Sequence, residues 1–253
     1  MVKTGMYFTA EGIVVRQTDV GESDKVLTIL TAQYGKISVW AKGARRMKSQ
    51  KLAASSLLAY SRFSLGGSAG RYYISSAQPL ETFYELGQSV EKMALACYIA
   101  EVSAYVSDEN IPNPELLSLL LNALHVLAKD KKEPDYIKPA FELRCLAVCG
   151  HMPDLVGCRE CMCYEGELYF ALRGGALLCG DCLRKGGTTE AHIPVPAAIL
   201  TAMRYIIYSD AKKVFSFTLS EEGKKILAHM TESYLEAQLN HVFSTLAFLK
   251  SVT

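Results

Sequence analysis

Four cysteines constrain this chain more than any other residues. Cys158 and Cys161 form one C-x2-C pair, Cys179 and Cys182 form a second, and seventeen residues separate the pairs. Two thiolates two residues apart can reach one ion from a tight turn, and two such knuckles complete the tetrahedron that zinc prefers. The segment between them, Tyr164 to Leu178, carries Gly166, Gly174 and Gly175 around Leu168-Tyr169-Phe170. That reads as a hairpin folding the second knuckle onto the first, a zinc ribbon spanning about residues 155–186. Four thiolates leave no ligand position for water, so the expected cofactor is one structural Zn2+ per chain on these four residues. The plain alternative, a chance cluster of free thiols, fits the regular spacing poorly. Cys163 is a spare thiol beside the set, and His151 and His192 lie near it in sequence.

Cys97, Cys145 and Cys149 fall in apolar helical stretches, where free cysteine behaves as a small core residue. Met1 to Ala10 lacks the basic start and apolar run of a secretory signal. No run of ~18 apolar residues occurs, since the best candidate, Val90 to Val106, is interrupted by Glu91, Lys92 and Glu101. The expected compartment is the cytoplasm, where thiols stay reduced.

From Tyr7 to Pro79 the pattern is that of short strands. Glu11 to Val20 and Lys25 to Thr31 are rich in Ile, Val, Leu and Thr and flank the turn-like Gly21-Glu22-Ser23-Asp24. Tyr34-Gly35-Lys36 precedes an alternating Ile37 to Ala41; Leu57 to Leu65 and Arg71 to Ala77 follow, joined by a glycine-rich turn. Five strands in about eighty residues suit a small closed barrel, the oligonucleotide-binding (OB) type being the common five-stranded choice, with an SH3-like barrel the alternative. Beyond residue 80 the apolar period lengthens. Helices are expected over Leu86 to Val106, Glu115 to Lys129 behind Pro114, Tyr136 to Cys149, Ala197 to Tyr208, and from Ser220 through Phe243. The expected class is α+β, with an OB-type domain over 1–80 and a helical domain carrying the ribbon over 81–253.

Charge divides along the same line. Residues 1–80 hold eleven Lys and Arg against four Asp and Glu, a net of +7; the remainder holds sixteen against twenty-two, a net of −6. A near-neutral total thus hides a basic front that favours a polyanion. The densest run is Lys42-Gly43-Ala44-Arg45-Arg46-Met47-Lys48-Ser49-Gln50-Lys51. Long cations at backbone spacing beside aromatics are what phosphates and bases require. Trp40 precedes the run, and Tyr60, Phe63, Tyr72 and Tyr73 lie on neighbouring strands. The candidate nucleic-acid contacts are Lys36, Trp40, Lys42, Arg45, Arg46, Lys48, Lys51 and Arg71. A solvated basic loop beside core aromatics would carry the same letters.

Catalytic motifs fail on context, and no catalytic residue is assigned. Gly66-Gly67-Ser68-Ala69-Gly70 matches G-x-S-x-G, but a nucleophile elbow needs a helix next and strand-like Arg71-Tyr72-Tyr73-Ile74 follows. Walker and H-E-x-x-H motifs are missing. A redox C-x2-C belongs at a helix start in a βαβ unit, and no such unit is apparent. Glu11, Glu22 and Asp24 read as turn and surface residues, and His125, His229 and His241 as surface or core-edge residues on helices. Rival readings are a zinc-ribbon transcription or RNA-processing factor, a thiol oxidoreductase using the C-x2-C pairs, and a hydrolase using Ser68.

In order, Glu11-Gly12-Ile13-Val14-Val15, Gly21-Glu22-Ser23-Asp24-Lys25, Thr31-Ala32-Gln33-Tyr34-Gly35-Lys36 and Ala41-Lys42-Gly43-Ala44-Arg45-Arg46 resemble the amino-terminal pattern of the RecO family of bacterial DNA repair proteins. The four-cysteine ribbon in a helical half and Phe243-Ser244-Thr245-Leu246-Ala247-Phe248-Leu249 extend the resemblance over nearly the whole chain. Leu52 to Leu57 departs from the more apolar, proline-containing block usual there. Zinc rests on the spacing, because not all members keep the cysteines. The resemblance implies a non-enzymatic recombination mediator at the nucleoid. Such a protein binds single- and double-stranded DNA, anneals complementary strands, and works with RecR to load RecA onto strands coated by single-strand-binding protein.

Overall fold

The computed structural model describes residues 6–68, 71–186 and 188–253. Ala69 and Gly70 of the glycine-rich turn, and residues 1–5 of the stretch scanned for a signal, lie outside them. The fold is α+β. Five strands, β1 (Met6–Val20), β2 (Asp24–Thr31), β3 (Gly35–Ala41), β4 (Tyr60–Ser68) and β5 (Arg71–Glu81), close a barrel in the order β1–β2–β3–β5–β4. Neighbours run antiparallel except along the β3–β5 seam, where Val39 and Trp40 pair in parallel with Tyr72 and Tyr73. This five-stranded closure is OB-type.

β1 closes the barrel because it serves two partners: its first half pairs with β4 and its second with β2. Both meet at Gly12, where a Cβ would come within 2.7 Å of Ile29 Cγ2 and the Leu30 carbonyl. A side chain there would push β2 away, and a register shift between Val14 and Arg16 then bends the strand onward. Strict alternation fills the interior, as in β3, where Ile37, Val39 and Ala41 point in and Ser38 and Trp40 out. Val14, Leu27, Ile29, Phe63, Leu65 and Ile74 complete much of that core. β4 begins at Tyr60 and not at Leu57, because Leu58 takes a left-handed backbone (φ 65°) that ends the preceding loop.

The barrel belongs to a compact unit that runs to Lys129 and also includes Phe243–Thr253. Its helices are α1 (Val90–Val106) and α2 (Pro114–Ala128), capped by the Ser89 and Asn113 side chains, which accept from the Lys92 and Leu116 N–H groups. The stretch expected to be one helix from Leu86 is a 3-10 turn, Tyr84–Gln88, followed by α1.

The second compact unit is Asp130–Val242. It contains α3 (Pro134–Val148), β6 (Asp154–Cys158), β7 (Leu168–Ala171), β8 (Ala176–Cys179), α4 (Gly180–Arg184), β9 (His192–Pro194), α5 (Ala197–Tyr208) and α6 (Glu221–Leu239). The small sheet has the order β6–β8–β7–β9. α3 packs against α5 and α6, and its fully buried Glu142 accepts from Thr231 Oγ1 at 2.7 Å and from Lys138 Nζ at 2.8 Å. Burial alone would push Lys138 down, but Glu142 and Glu232 more than reverse it and hold the ammonium above the usual lysine range. The helix expected to reach Phe243 stops at Leu239, where Asn240 turns left-handed (φ 46°). His241 therefore lies off it, and a further helix, α7 (Ser244–Val252), starts in the first unit. Among the described residues no helix is long and apolar enough to cross a membrane.

Candidate metal centre and nucleic-acid interface

The β7–β8 hairpin pairs Leu168 with Cys179 and Ala171 with Ala176, turning on Gly174 and a left-handed Gly175 (φ 58°). It delivers Cys179 to the end of β8 and Cys182 to the short helix behind it. β6 runs parallel to β8 and brings Cys158 alongside. After Cys158 the chain reverses: the Met162 N–H returns to the Cys158 carbonyl, and the Cys158 N–H donates to Cys163 O, each at 2.7 Å. The ligand atoms of Cys158, Cys161, Cys179 and Cys182 all lie within 4.8 Å of one another. A tetrahedron with bonds of about 2.3 Å to sulfur has edges of about 3.8 Å, and Cys161 Sγ lies 3.7 Å from Cys179 Sγ.

The sulfurs also differ in acidity. Burial opposes ionisation of Cys158, yet the N–H groups of Cys179, Cys161 and Glu160 bring it down to about 6. Cys182 goes the other way, pushed up to about 12 by hydrogen bonding with the Cys161 and Cys179 sulfurs. Four thiols this close cannot all ionise against their mutual repulsion, and a bound cation removes that conflict. Soft sulfur donors at tetrahedral spacing fit a thiophilic metal ion. Cys163 stays outside the set, its thiol on the Glu165 carbonyl at 3.2 Å. His151 Nδ1 meets Gln238 Oε1 and His192 Nδ1 meets Glu190 O, and neither histidine is among the residues whose ligand atoms converge.

On the barrel, the loop between β3 and β4 is a folded chain of turns. Ala44, Ala54, Ser55, Leu58 and Ala59 are buried beneath it. Its start is tied to the turn before β2. The Asp24 carboxylate accepts from the Gly43 N–H at 2.8 Å, from Trp40 Nε1 at 3.0 Å and from Ser23 Oγ at 3.0 Å. The Gly43 N–H, with Trp40, Ser23 and nearby Lys42, holds Asp24 below the usual carboxylate range. Arg45 is fixed to the same turn, its N–H on Ser23 O, its guanidinium on Gly21 O at 3.0 Å and beside Asp19 at 3.3 Å. Gly21-Glu22-Ser23-Asp24 and Lys42 to Arg46, two blocks apart in sequence, form one structure.

This places the expected contacts unequally. Trp40, Lys42, Arg45, Arg46 and Lys48 are exposed together at one end of β3. Arg46 and Lys48 form no side-chain hydrogen bond or ion pair among the described residues. Lys51 is half-buried with its ammonium on the Ile74 carbonyl at 2.7 Å. Lys36 sits at the other end of β3 and donates to Ala104 O at 2.9 Å. Arg71 is exposed at the start of β5. Among the aromatics Phe63 is core, Tyr60 donates to Glu11, and Tyr72 packs edge-on against Phe8. Asp24, read from sequence as a turn residue, is the anchor that reading missed. The signal was the hairpin register, which pairs Lys25 with Ala41 and so sets an acid beside the start of the basic run.

Two family models cover the chain: "Recombination protein O N terminal" matches residues 6–83 and "Recombination protein O C terminal" matches residues 87–246. Similar proteins include the DNA repair protein RecO of Acetivibrio thermocellus, 32% identical over 247 residues that make up 97% of each chain. That of Alkaliphilus metalliredigens is 30% identical over 98% of this chain and 100% of its own length. That of Bacillus subtilis is 29% identical over 91% of this chain and 89% of its own.

Proposed function

The chain belongs to the RecO family of DNA repair proteins, and from that premise we propose that it is a recombination mediator that works by binding and not by catalysis. It holds single- and double-stranded DNA on the barrel, anneals complementary strands, and with RecR helps load RecA onto strands coated by single-strand-binding protein. The observation that carries this reading is the folded basic loop, with Lys42, Arg46 and Lys48 exposed beside Trp40. Phosphates neutralised there release counterions, and the screened strands can approach closely enough to pair. Arg45 shapes the loop as well as adding charge, while Lys51, tied to the Ile74 carbonyl, contributes chiefly to the loop's frame. Lys36, tied to Ala104 at the other end of β3, stands apart from it; Arg71 extends the basic face along β5. Residues 81–253, with their net negative charge, stay off the DNA and are left to protein partners at the nucleoid.

The four cysteines hold one structural Zn2+ and keep the ribbon folded, so their thiolates are not free for disulfide exchange. The test uses full-length protein and complementary strands coated with single-strand-binding protein, without ATP. Annealing is expected, with RecA loading once RecR is added. If around four cations meet a single strand, the log–log salt slope of binding is about −3. A protein that binds DNA but neither anneals coated strands nor binds RecR or single-strand-binding protein is a metal-stabilised DNA binder and no mediator.

A further inference from the structure

Opposite the apolar interior, three aromatic side chains lie in a row on the outside of the barrel. Tyr7 on β1 pairs with Gly66 on β4, Gly66 pairs with Tyr73 on β5, and Tyr73 pairs with Trp40 on β3. Paired positions share a face of the sheet. The row therefore crosses four strands at right angles, about 14 Å at the usual strand spacing. All three rings are open to solvent: Tyr7 is 71% exposed, Tyr73 43% and Trp40 42%.

The row depends on Gly66. A Cβ there would lie 2.7 Å from Tyr73 Cζ and 2.9 Å from Tyr7 Cε1, so both rings lean over the glycine, and their hydroxyls meet at 3.0 Å. At the other end the Trp40 indole is pinned by its N–H to Asp24. The basic loop borders this row, since Lys51 grips the carbonyl of Ile74, next to Tyr73. Exposed Arg71 stands two residues before Tyr73 on the same face, and exposed Lys42 two residues after Trp40. Rings leaning over a strand glycine shield its backbone. That role alone needs neither a third ring in line nor cations beside Tyr73 and Trp40.

Resting on the reading of the barrel as a DNA-binding surface, we propose that Tyr7, Tyr73 and Trp40 form a base-stacking platform for single-stranded nucleic acid, shaped by Gly66. Every base has a π-face, so such a platform is indifferent to sequence and distinguishes an unpaired strand from a duplex, whose bases are already stacked. The flanking cations take the phosphates while the rings take the bases.

Trp40 is the only tryptophan in the chain, so its emission reports on the row alone. Full-length protein is titrated with a thymidine oligonucleotide and with an abasic strand carrying the same number of phosphates. Emission should be quenched by the thymidine strand and little changed by the abasic one. Tyr73→Ala should weaken thymidine binding about tenfold and leave abasic binding within about twofold, with Tyr73→Phe close to wild type because the ring remains. Gly66→Ala, which forces the two rings apart, should resemble Tyr73→Ala. If an alanine variant does not fold, the wild-type comparison of the two strands and Tyr73→Phe still decide. Equal quenching and equal affinity for both strands would overturn the platform while leaving a phosphate-binding barrel intact. A wild-type protein that binds neither strand would overturn the DNA-binding reading with it.

Discussion

The barrel and the first cysteine knuckle are both small β structures, yet they are held in opposite ways. In the barrel, five strands share a continuous apolar interior, and no single contact dominates. In the knuckle, every residue from Arg159 to Glu167 is exposed, so the segment buries no core side chain of its own. Its shape rests on a few N–H···O bonds and on four converging sulfurs. A shape spread over many weak contacts degrades gradually when one is removed, whereas one concentrated in a single centre is lost at a stroke.

The largest expected effect is removal of that centre. Binding of structural zinc to four-ligand sites is worth roughly 10–16 kcal/mol near neutral pH. Cys161→Ser should take metal content from about one ion per chain toward none and abolish hydrogen-exchange protection around residues 158–167, with barrel amides unchanged. Loss of barrel protection as well would show the two regions to be less independent than their construction implies. Anaerobically purified protein with no zinc and a Cys158–Cys161 disulfide would remove the metal altogether.

Next comes the barrel's own core. Phe63 is fully buried there, and Phe63→Ala should cost about 3–5 kcal/mol in a denaturant melt while metal content stays constant. A smaller free energy attaches to the loop. Arg45, Arg46 and Lys48 changed together to Glu should weaken single-strand binding by about a hundredfold in moderate salt and flatten the salt slope by about 2. Arg46 and Lys48 make no side-chain bond among the described residues, so changing them alone should hardly move the melting temperature. Arg45, bonded to Gly21 O and beside Asp19, accounts for any loss in the triple variant. Unchanged DNA affinity in a folded variant would take the loop out of the interface.

The smallest effect concerns Asp24. Its carboxyl is held below the usual range chiefly by the Gly43 N–H. The ionised form's hold on Trp40 and the loop is therefore present above the ordinary aspartate value and lost as pH falls through the lowered one. Trp40 emission should stay level through mildly acidic pH and change only below the ordinary carboxylate range. Asp24→Asn should show no such step, and a step near neutral pH would point to another group.

Much of this was legible in the residues. Alternation located all five strands, and the cysteine spacing named the four sulfurs that converge, because both signals are local and periodic. Closure of β1 on β4, and with it the OB-type order, is a matter of pairing between segments about fifty residues apart, which no local window contains. The same holds for Lys36 and Lys51: each reads as a free cation until the fold supplies a carbonyl within reach. The split between α6 and α7 went unseen because the apolar stripe continues across it, and only the left-handed Asn240 breaks the helix.

The return of Ser244–Val252 to the first unit has a consequence for how the molecule is made. Glu101 on α1 accepts from the Ser244 hydroxyl and the Thr245 N–H, each at 3.0 Å, and the Tyr98 ring meets Phe243 edge-on. These partners are more than 140 residues apart in sequence, with the whole of Asp130–Val242 between them. During synthesis the whole of that intervening unit is added before the residues that pack on α1. The first compact unit is thus completed only after the second has been synthesised, and until then α1 lacks its contacts with Phe243, Ser244 and Thr245.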